Sequence, residues 1–250
     1  MSDLSRVQIS LQDCTVVILA GGLGTRLRSV VSDRPKPLAE VNGRPFMTYL
    51  LDQLADTGLK RVVLCTGYRG EMVEAVLGHR WRSLELIYSQ ELVPLGTGGA
   101  LRLAIPQIHS EIALVMNGDS YCEIDLQAFW QYHQLHPQDC TIALTQMQDV
   151  QRFGQVKLNS RNQIIQFGEK DKVSEPGWIN AGIYLLNISE LQAMPEQQYF
   201  SLEMGLFVNW VTRGQLWGFV TPGLFIDIGL SQSYERAQSL FNFYKSENLC

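Results

Sequence analysis

The chain has 250 residues, 46% hydrophobic and 18% charged, with a formal net charge of −5. That balance suits one large soluble α/β domain or two small ones, and without a Lys/Arg cluster it offers no footprint for nucleic acid or a membrane surface. No apolar run nears the ~18 residues of a membrane span, and five scattered cysteines (Cys14, Cys65, Cys122, Cys140, Cys250) with no C-x-x-C pair or metal spacing predict reduced thiols in a cytoplasmic protein.

Residues 1–13 carry Asp3 and Asp13 and no apolar h-region, so they are expected to be a loosely packed leader rather than a secretory signal. Residues 16–20 form an apolar, β-branched run of strand length. It stops at Gly21-Gly22, with Gly24, Thr25 and Arg26 close behind and Lys36 held between Pro35 and Pro37. Glycines let backbone N–H groups approach a ligand, and a nearby Arg and Lys make such a loop a site for a polyanion, most simply a chain of phosphates. The prolines stiffen the tether of Lys36. The dinucleotide fingerprint fails here because Leu27 stands where its third glycine belongs. The P-loop fails because Arg26 and Leu27 stand where its Gly and Lys belong.

Downstream, Pro45 sits where a helix can start, with Phe46, Tyr49, Leu50 and Leu54 on one face and Gly58 at its end. A strand is expected over 61–66, a short helix over 71–77, a strand over 84–88, a helix over 98–105 and a strand over 112–116. Such alternation predicts right-handed crossovers and a mainly parallel sheet, with the site at the carboxyl ends of the strands. The glycine loop, 90–97 and 117–119 all fall at that rim. The second half is less regular: strands are expected over 140–146, 155–158, 163–167 and 178–186, then helices around 201–211 and 231–244. No repeat or linker marks a domain boundary.

Asp119, in Asn117-Gly118-Asp119, and Asp227, in Phe225-Ile226-Asp227-Ile228-Gly229, each follow an apolar run. A single Asp there is commonly a turn residue, whereas a pair offers the oxygen ligands that magnesium takes. The stretch Gln90 to Gly99 is glycine-rich at its end, suited to close packing of backbone against a flat ring. A carboxylate such as Glu91 accepts from the N–H edge of guanine, whereas an amide such as Gln90 both donates and accepts, as uracil or thymine requires. Both stand here, so the base stays open. His79, His109, His133 and His136 show no pairing with Ser or Cys, and Phe200, Phe207 and Trp210 read as core.

The words Gly21-Gly22-Leu23-Gly24-Thr25-Arg26-Leu27 and Pro35-Lys36-Pro37 match the G-G-x-G-T-R-L and P-K-P signature of the sugar-1-phosphate nucleotidylyltransferases, which the chain resembles from about Cys14 to about Ala237. The fuller wording GLGTRLRSVVSDRPKPLAEVNGRPF looks most like the D-glycero-α-D-manno-heptose 1-phosphate guanylyltransferases. The resemblance implies a single Rossmann-like three-layer α/β domain with a mixed, mainly parallel sheet. Its nucleotide-binding part would cover about 14–125, its sugar-binding part about 126–230 and a C-terminal helix about 231–245. It implies that Leu19, Ala20, Gly21, Gly22, Gly24, Thr25, Arg26, Gln90, Glu91, Gly96 and Thr97 bind the nucleotide. Gly118, Glu169, Lys170, Asn180 and Gly182 would bind the sugar phosphate, and Asp119 and Asp227 would hold Mg²⁺. Arg26, Lys36, Asp119 and Lys170 would be catalytic, Arg26 on the leaving pyrophosphate and Lys36 between the reacting phosphates.

The implied reaction joins an NTP, GTP favoured, to a sugar 1-phosphate, the heptose favoured, and releases pyrophosphate. The same reaction with mannose, glucose or N-acetylmuramic acid 1-phosphate and GTP, UTP, CTP or dTTP is the alternative, and a catalytically silent nucleotide-sugar sensor is a second. Retention of Arg26, Lys36, Asp119, Lys170 and Asp227 argues against the sensor. The left-handed β-helix of longer members is not expected, and a homo-oligomer stays open.

Overall fold

The computed structural model describes residues 10–27, 30–136, 140–150, 153, 155–168, 175–193, 196 and 198–247, the last six through their backbone. The run TVVIL folds as β1 (Thr15–Leu19), covered on both faces as strands of parallel sheets are. A small hairpin, β2 (Glu40–Val41) and β3 (Arg44–Pro45), leads into α1 (Met47–Asp56). Strand and helix then alternate as expected: β4 (Arg61–Thr66), α2 (Gly70–Leu77), β5 (Arg80–Trp81), β6 (Leu84–Gln90), α3 (Gly96–Ala104) and β7 (Ile112–Asn117). Next come β8 (Ser120–Cys122), α4 (Leu126–Gln134), β9 (Cys140–Met147), β10 (Gln155–Leu158), β11 (Ile164–Phe167), β12 (Gly177–Asn187) and α5 (Ile188–Gln192). A π-helical turn over Leu202–Phe207 runs into α6 (Val208–Arg213), and β13 (Leu216–Val220), β14 (Phe225–Asp227) and α7 (Ser231–Glu247) follow.

The main sheet runs β11-β10-β12-β7-β1-β4-β6-β5, with β9 on β12 and β13 on β9. Strands β7, β1, β4 and β6 are mutually parallel, as their helical crossovers require. Strand β12 enters antiparallel to β7 and extends the same sheet into the second half. The sheet is therefore mixed, as expected.

Alternation along the central strands splits the core in two. Val16 and Ile18 join Leu50, Leu54, Val73, Phe129 and Phe241 on one face, beneath α1, α2, α4 and α7. Val17, Val63 and Val115 join Leu101, Leu191, Phe207 and Trp210 on the other, beneath α3, α5 and α6. Three layers result, α/β/α.

Several local expectations shift. Pro45 ends β3 instead of opening a helix, and α1 starts at Met47. Helix α3 begins at Gly96, two residues before the expected start. The expected helix over 201–211 divides into a π-helical turn and α6. The loosely packed leader does not reach Leu11, which is 1% exposed in a short 3-10 turn. Helix α4 was not anticipated, although Leu126, Phe129, Trp130 and His133 share its buried side and the Asp125 carboxylate caps it by accepting from the Ala128 N–H at 2.9 Å. Cys14, Cys65, Cys122 and Cys140 are buried. Among the described residues no helix is long and apolar enough to cross a membrane.

Candidate active site

Strands β1, β6 and β7 end at one edge of the sheet, and the segments that leave them line a cavity of about 280 Å³. The glycine loop contributes Leu19, Ala20, Gly21, Gly22 and Leu23, and the segment after β6 contributes Glu91, Pro94, Gly96 and Thr97. Asn117, Gly118 and Asp119 form a third wall, with Lys36 beside them and Tyr199 at the rim. The first and third walls are tied directly: the Gly118 N–H donates to the Leu19 carbonyl at 2.9 Å, and a Cβ on Gly118 would fall 2.9 Å from that oxygen. Of the expected site residues, Leu19, Ala20, Gly21, Gly22, Lys36, Glu91, Gly96, Thr97, Gly118 and Asp119 line this one cavity.

Its charged floor is an ion pair. Pro35 and Pro37 fix the 3-10 turn that begins at Lys36, and Lys36 Nζ lies 2.6 Å from Asp119 Oδ2. Gly24 holds a positive φ of 60° beside Lys36, so a side chain there would strain the turn. Strand β8 pairs with β14 so that Ser120 faces Asp227, and the Ile228 N–H donates to the Asp119 carbonyl at 3.0 Å. Both aspartates thus sit at the same end of one ribbon. Asp227 does not line the cavity; its Oδ1 accepts from the Gly229 N–H at 2.6 Å and from Ser233 Oγ at 3.2 Å. Two carboxylates at that end supply the kind of oxygen ligand that magnesium takes, alongside phosphates and water. No cluster of three ligating side chains occurs among the described residues.

Glu91 braces the opposite end. Its Oε2 accepts from the Leu95 N–H at 3.0 Å, and its Oε1 stands so near the backbone that a Cβ on Gly21 or Gly67 would come within 2.7 or 2.9 Å of it. Burial raises the Glu91 carboxyl above the usual range, and the Leu95 hydrogen bond works against that shift. Gln90 is exposed and turned toward Gly70 at the start of α2, away from the cavity lining.

The glycines of α3 have a different neighbour from the one the sequence suggests. The flat ring against Gly98 is that of Phe200: a Cβ there would lie 1.9 Å from Phe200 Cε2. The Phe200 N–H donates to the Leu95 carbonyl at 3.0 Å, and its own carbonyl accepts from Gly98 at 3.0 Å and Gly99 at 3.4 Å. It thereby satisfies N–H groups that a helix start leaves unpaired. Thr97 Oγ1 donates to Glu203 and accepts from the Leu202 N–H, each at 2.9 Å.

On the sugar side, Asn180 Oδ1 accepts from the Gly182 N–H at 2.8 Å and Asn180 Nδ2 donates to the buried Tyr184 hydroxyl at 2.9 Å. Gly182 holds φ +76°, and a Cβ there would lie 2.7 Å from Asn117 Nδ2, inside the register shift of β12. Neither Asn180 nor Gly182 lines the cavity. Thr25 and Arg26 stand exposed on a turn outside its lining. Glu169 and Lys170 lie outside the described residues. Pro94 and Asn117 line the cavity from stretches expected at the rim, whereas sequence reasoning missed Tyr199 as a lining residue and Gly67 as packing. Asn117 Oδ1 is a buried acceptor with no hydrogen-bond partner among the described residues.

The profile of the Nucleotidyl transferase family matches residues 15–241. The chain is 37% identical over 228 residues to the D-glycero-alpha-D-manno-heptose 1-phosphate guanylyltransferase of Aneurinibacillus thermoaerophilus, covering 91% of this chain and 98% of that one. It is 35% identical to the enzyme of the same name from Campylobacter jejuni, over 87% of this chain and 96% of that one. The crystal structure of HddC from Yersinia pseudotuberculosis complexed with GMP-PN superposes with a TM-score of 0.81 at 34% identity, covering 91% of this chain and 99% of that one.

Proposed function

The chain belongs to the nucleotidyl transferase family, an enzyme of nucleotidyl transfer to a sugar 1-phosphate, and from that premise we propose that it joins GTP to D-glycero-α-D-manno-heptose 1-phosphate in the cytoplasm. The observation that carries the site is the Lys36–Asp119 pair, 2.6 Å apart on the floor of the cavity that the glycine loop walls. The choice of GTP and heptose is supported by two relatives of that name, each matched over nearly its whole length.

A sugar phosphate oxygen forms a bond to the α-phosphorus of the nucleotide while the bond from that phosphorus to the pyrophosphate oxygen breaks on the far side. The attacking phosphate is already ionised at neutral pH, so no general base is required. The task of the protein is to hold two anions in line and neutralise their repulsion. Backbone N–H groups of Gly21 to Gly24 and the Arg26 guanidinium take the phosphates that leave, while Lys36 stands between the reacting groups as a point charge. Lys170 takes the sugar phosphate, and Glu169 and Asn180 the sugar hydroxyls. Asp119 and Asp227 would hold magnesium, which when bound supplies positive charge between the phosphates.

Pyrophosphate release over a grid of GTP, UTP, CTP and dTTP against heptose, mannose, glucose and N-acetylmuramic acid 1-phosphates, with and without Mg²⁺, tests this reading. Turnover is expected with GTP and the heptose and to need the metal. Turnover with UTP and none with GTP would end the guanylyl assignment, and silence across the grid would favour a sensor. Asp119→Asn is expected to abolish nearly all turnover while metal-free nucleotide binding survives; full activity would remove Asp119 from the metal site.

A further inference from the structure

Tyr199 is 72% exposed and lines the cavity, yet the backbone on both sides of it is held rigidly. On one side the Gln198 carbonyl presses on Gly99, where a Cβ would fall 2.6 Å away. On the other, Phe200 makes three backbone hydrogen bonds to Leu95, Gly98 and Gly99 and lays its ring on Gly98. The Tyr199 ring edge borders Gly96, its Cε2 standing 3.2 Å from where a Gly96 Cβ would be, at the Glu91 end of the cavity. The ring is open to water and to the cavity while the backbone beside it is tied to α3, so it is placed to cover a flat ligand with little backbone ordering on binding. We propose that the Tyr199 ring is the outer wall of the nucleobase subsite and stacks on the face of the base; this rests on the reading that the cavity binds a nucleotide. Base–aromatic stacking needs the π-face and not the hydroxyl, so phenylalanine should serve as well as tyrosine.

The test is calorimetric titration of the full chain and its Tyr199→Ala and Tyr199→Phe variants with GMP and with pyrophosphate, without sugar. Tyr199→Ala is expected to weaken GMP about tenfold, within the range that such stacking carries, and to leave pyrophosphate untouched. Tyr199→Phe is expected to match the wild type. Because the side chain is exposed, both variants should unfold at the wild-type temperature. Undiminished GMP affinity in Tyr199→Ala would overturn the assignment. So would an equal loss for pyrophosphate. Binding is scored without turnover, so an inactive wild type that binds GMP would end the transferase reading alone. If the wild type binds UMP and not GMP, only the guanylyl choice fails, and stacking is scored on UMP by the same comparison.

Discussion

Gly98→Ala should destabilise the protein although alanine is the better helix former. In α3 the exchange contributes about 1 kcal/mol in favour of the variant. Against that, the new Cβ would stand 1.9, 2.3 and 2.6 Å from three atoms of the Phe200 ring. Rotation of the ring does not clear three atoms at once, and its backbone is locked by the bonds to Leu95, Gly98 and Gly99. Crowding of this kind costs about 1–3 kcal/mol. Release of the segment would forfeit hydrogen bonds worth about 1 kcal/mol each. With crowding and the three bonds set against the helix gain, the net expectation is a loss of about 3–5 kcal/mol, read as a lower urea midpoint by circular dichroism with an unchanged slope. In a Phe200→Ala background the same exchange should turn stabilising, because the clash is gone and the helix gain remains. Gly98→Ala that stabilises the wild type, or that costs the same in both backgrounds, would refute the packing described.

Lys36→Met should lower kcat by about 10²–10³-fold, the usual loss when one fixed charge stabiliser is removed from a transition state; a change confined to KM would leave Lys36 a binding residue only. Gly67→Ala places a Cβ 2.7 Å from the Gly21 carbonyl and 2.9 Å from Glu91 Oε1, so it should raise KM for the nucleotide more than KM for the sugar 1-phosphate. Equal shifts in the two constants would speak against it. His133 is fully buried with Nδ1 2.9 Å from Thr141 Oγ1, and burial lowers its imidazole from 6.5 to about 4. The unfolded chain therefore takes up a proton in that window and the folded chain does not, so stability should be complete above the upper value and fall by about 3 kcal/mol as pH drops to the lower. His133→Asn should flatten that slope in denaturant titrations at each pH; an unchanged slope would assign the acid sensitivity to other groups.

The parts that sequence made legible are those whose signal is local. The strands β1, β4 and β7 carry apolar runs, and the glycine loop and Gly118-Asp119 sit directly after strands, so the carboxyl-edge rule was enough to bring them to one rim. The Asp125 cap and the spacing of Leu126, Phe129, Trp130 and His133 are equally local signals of α4. What was hidden depends on distant pairing. Gly96 to Gly99 suggest a flat partner, but no local pattern says that the partner against Gly98 is Phe200, about a hundred residues on. Asp227 reaches the Asp119 end only through the β8–β14 ribbon, two strands of three residues each, too short to register as a period. The resemblance puts Asn180 on the sugar side, but no local pattern says that its side chain also holds Gly182 and Tyr184 inside a strand that changes register there.

The most direct measurement is a crystal structure of the protein with GTP and Mg²⁺ in the absence of sugar. Density is expected with the phosphates on Gly21 to Gly24 and Lys36, the metal at Asp119 and Asp227, and the base between Glu91 and Tyr199. A nucleotide bound outside this cavity, or bound within it with its phosphates away from Lys36 and Asp119, would contradict the account.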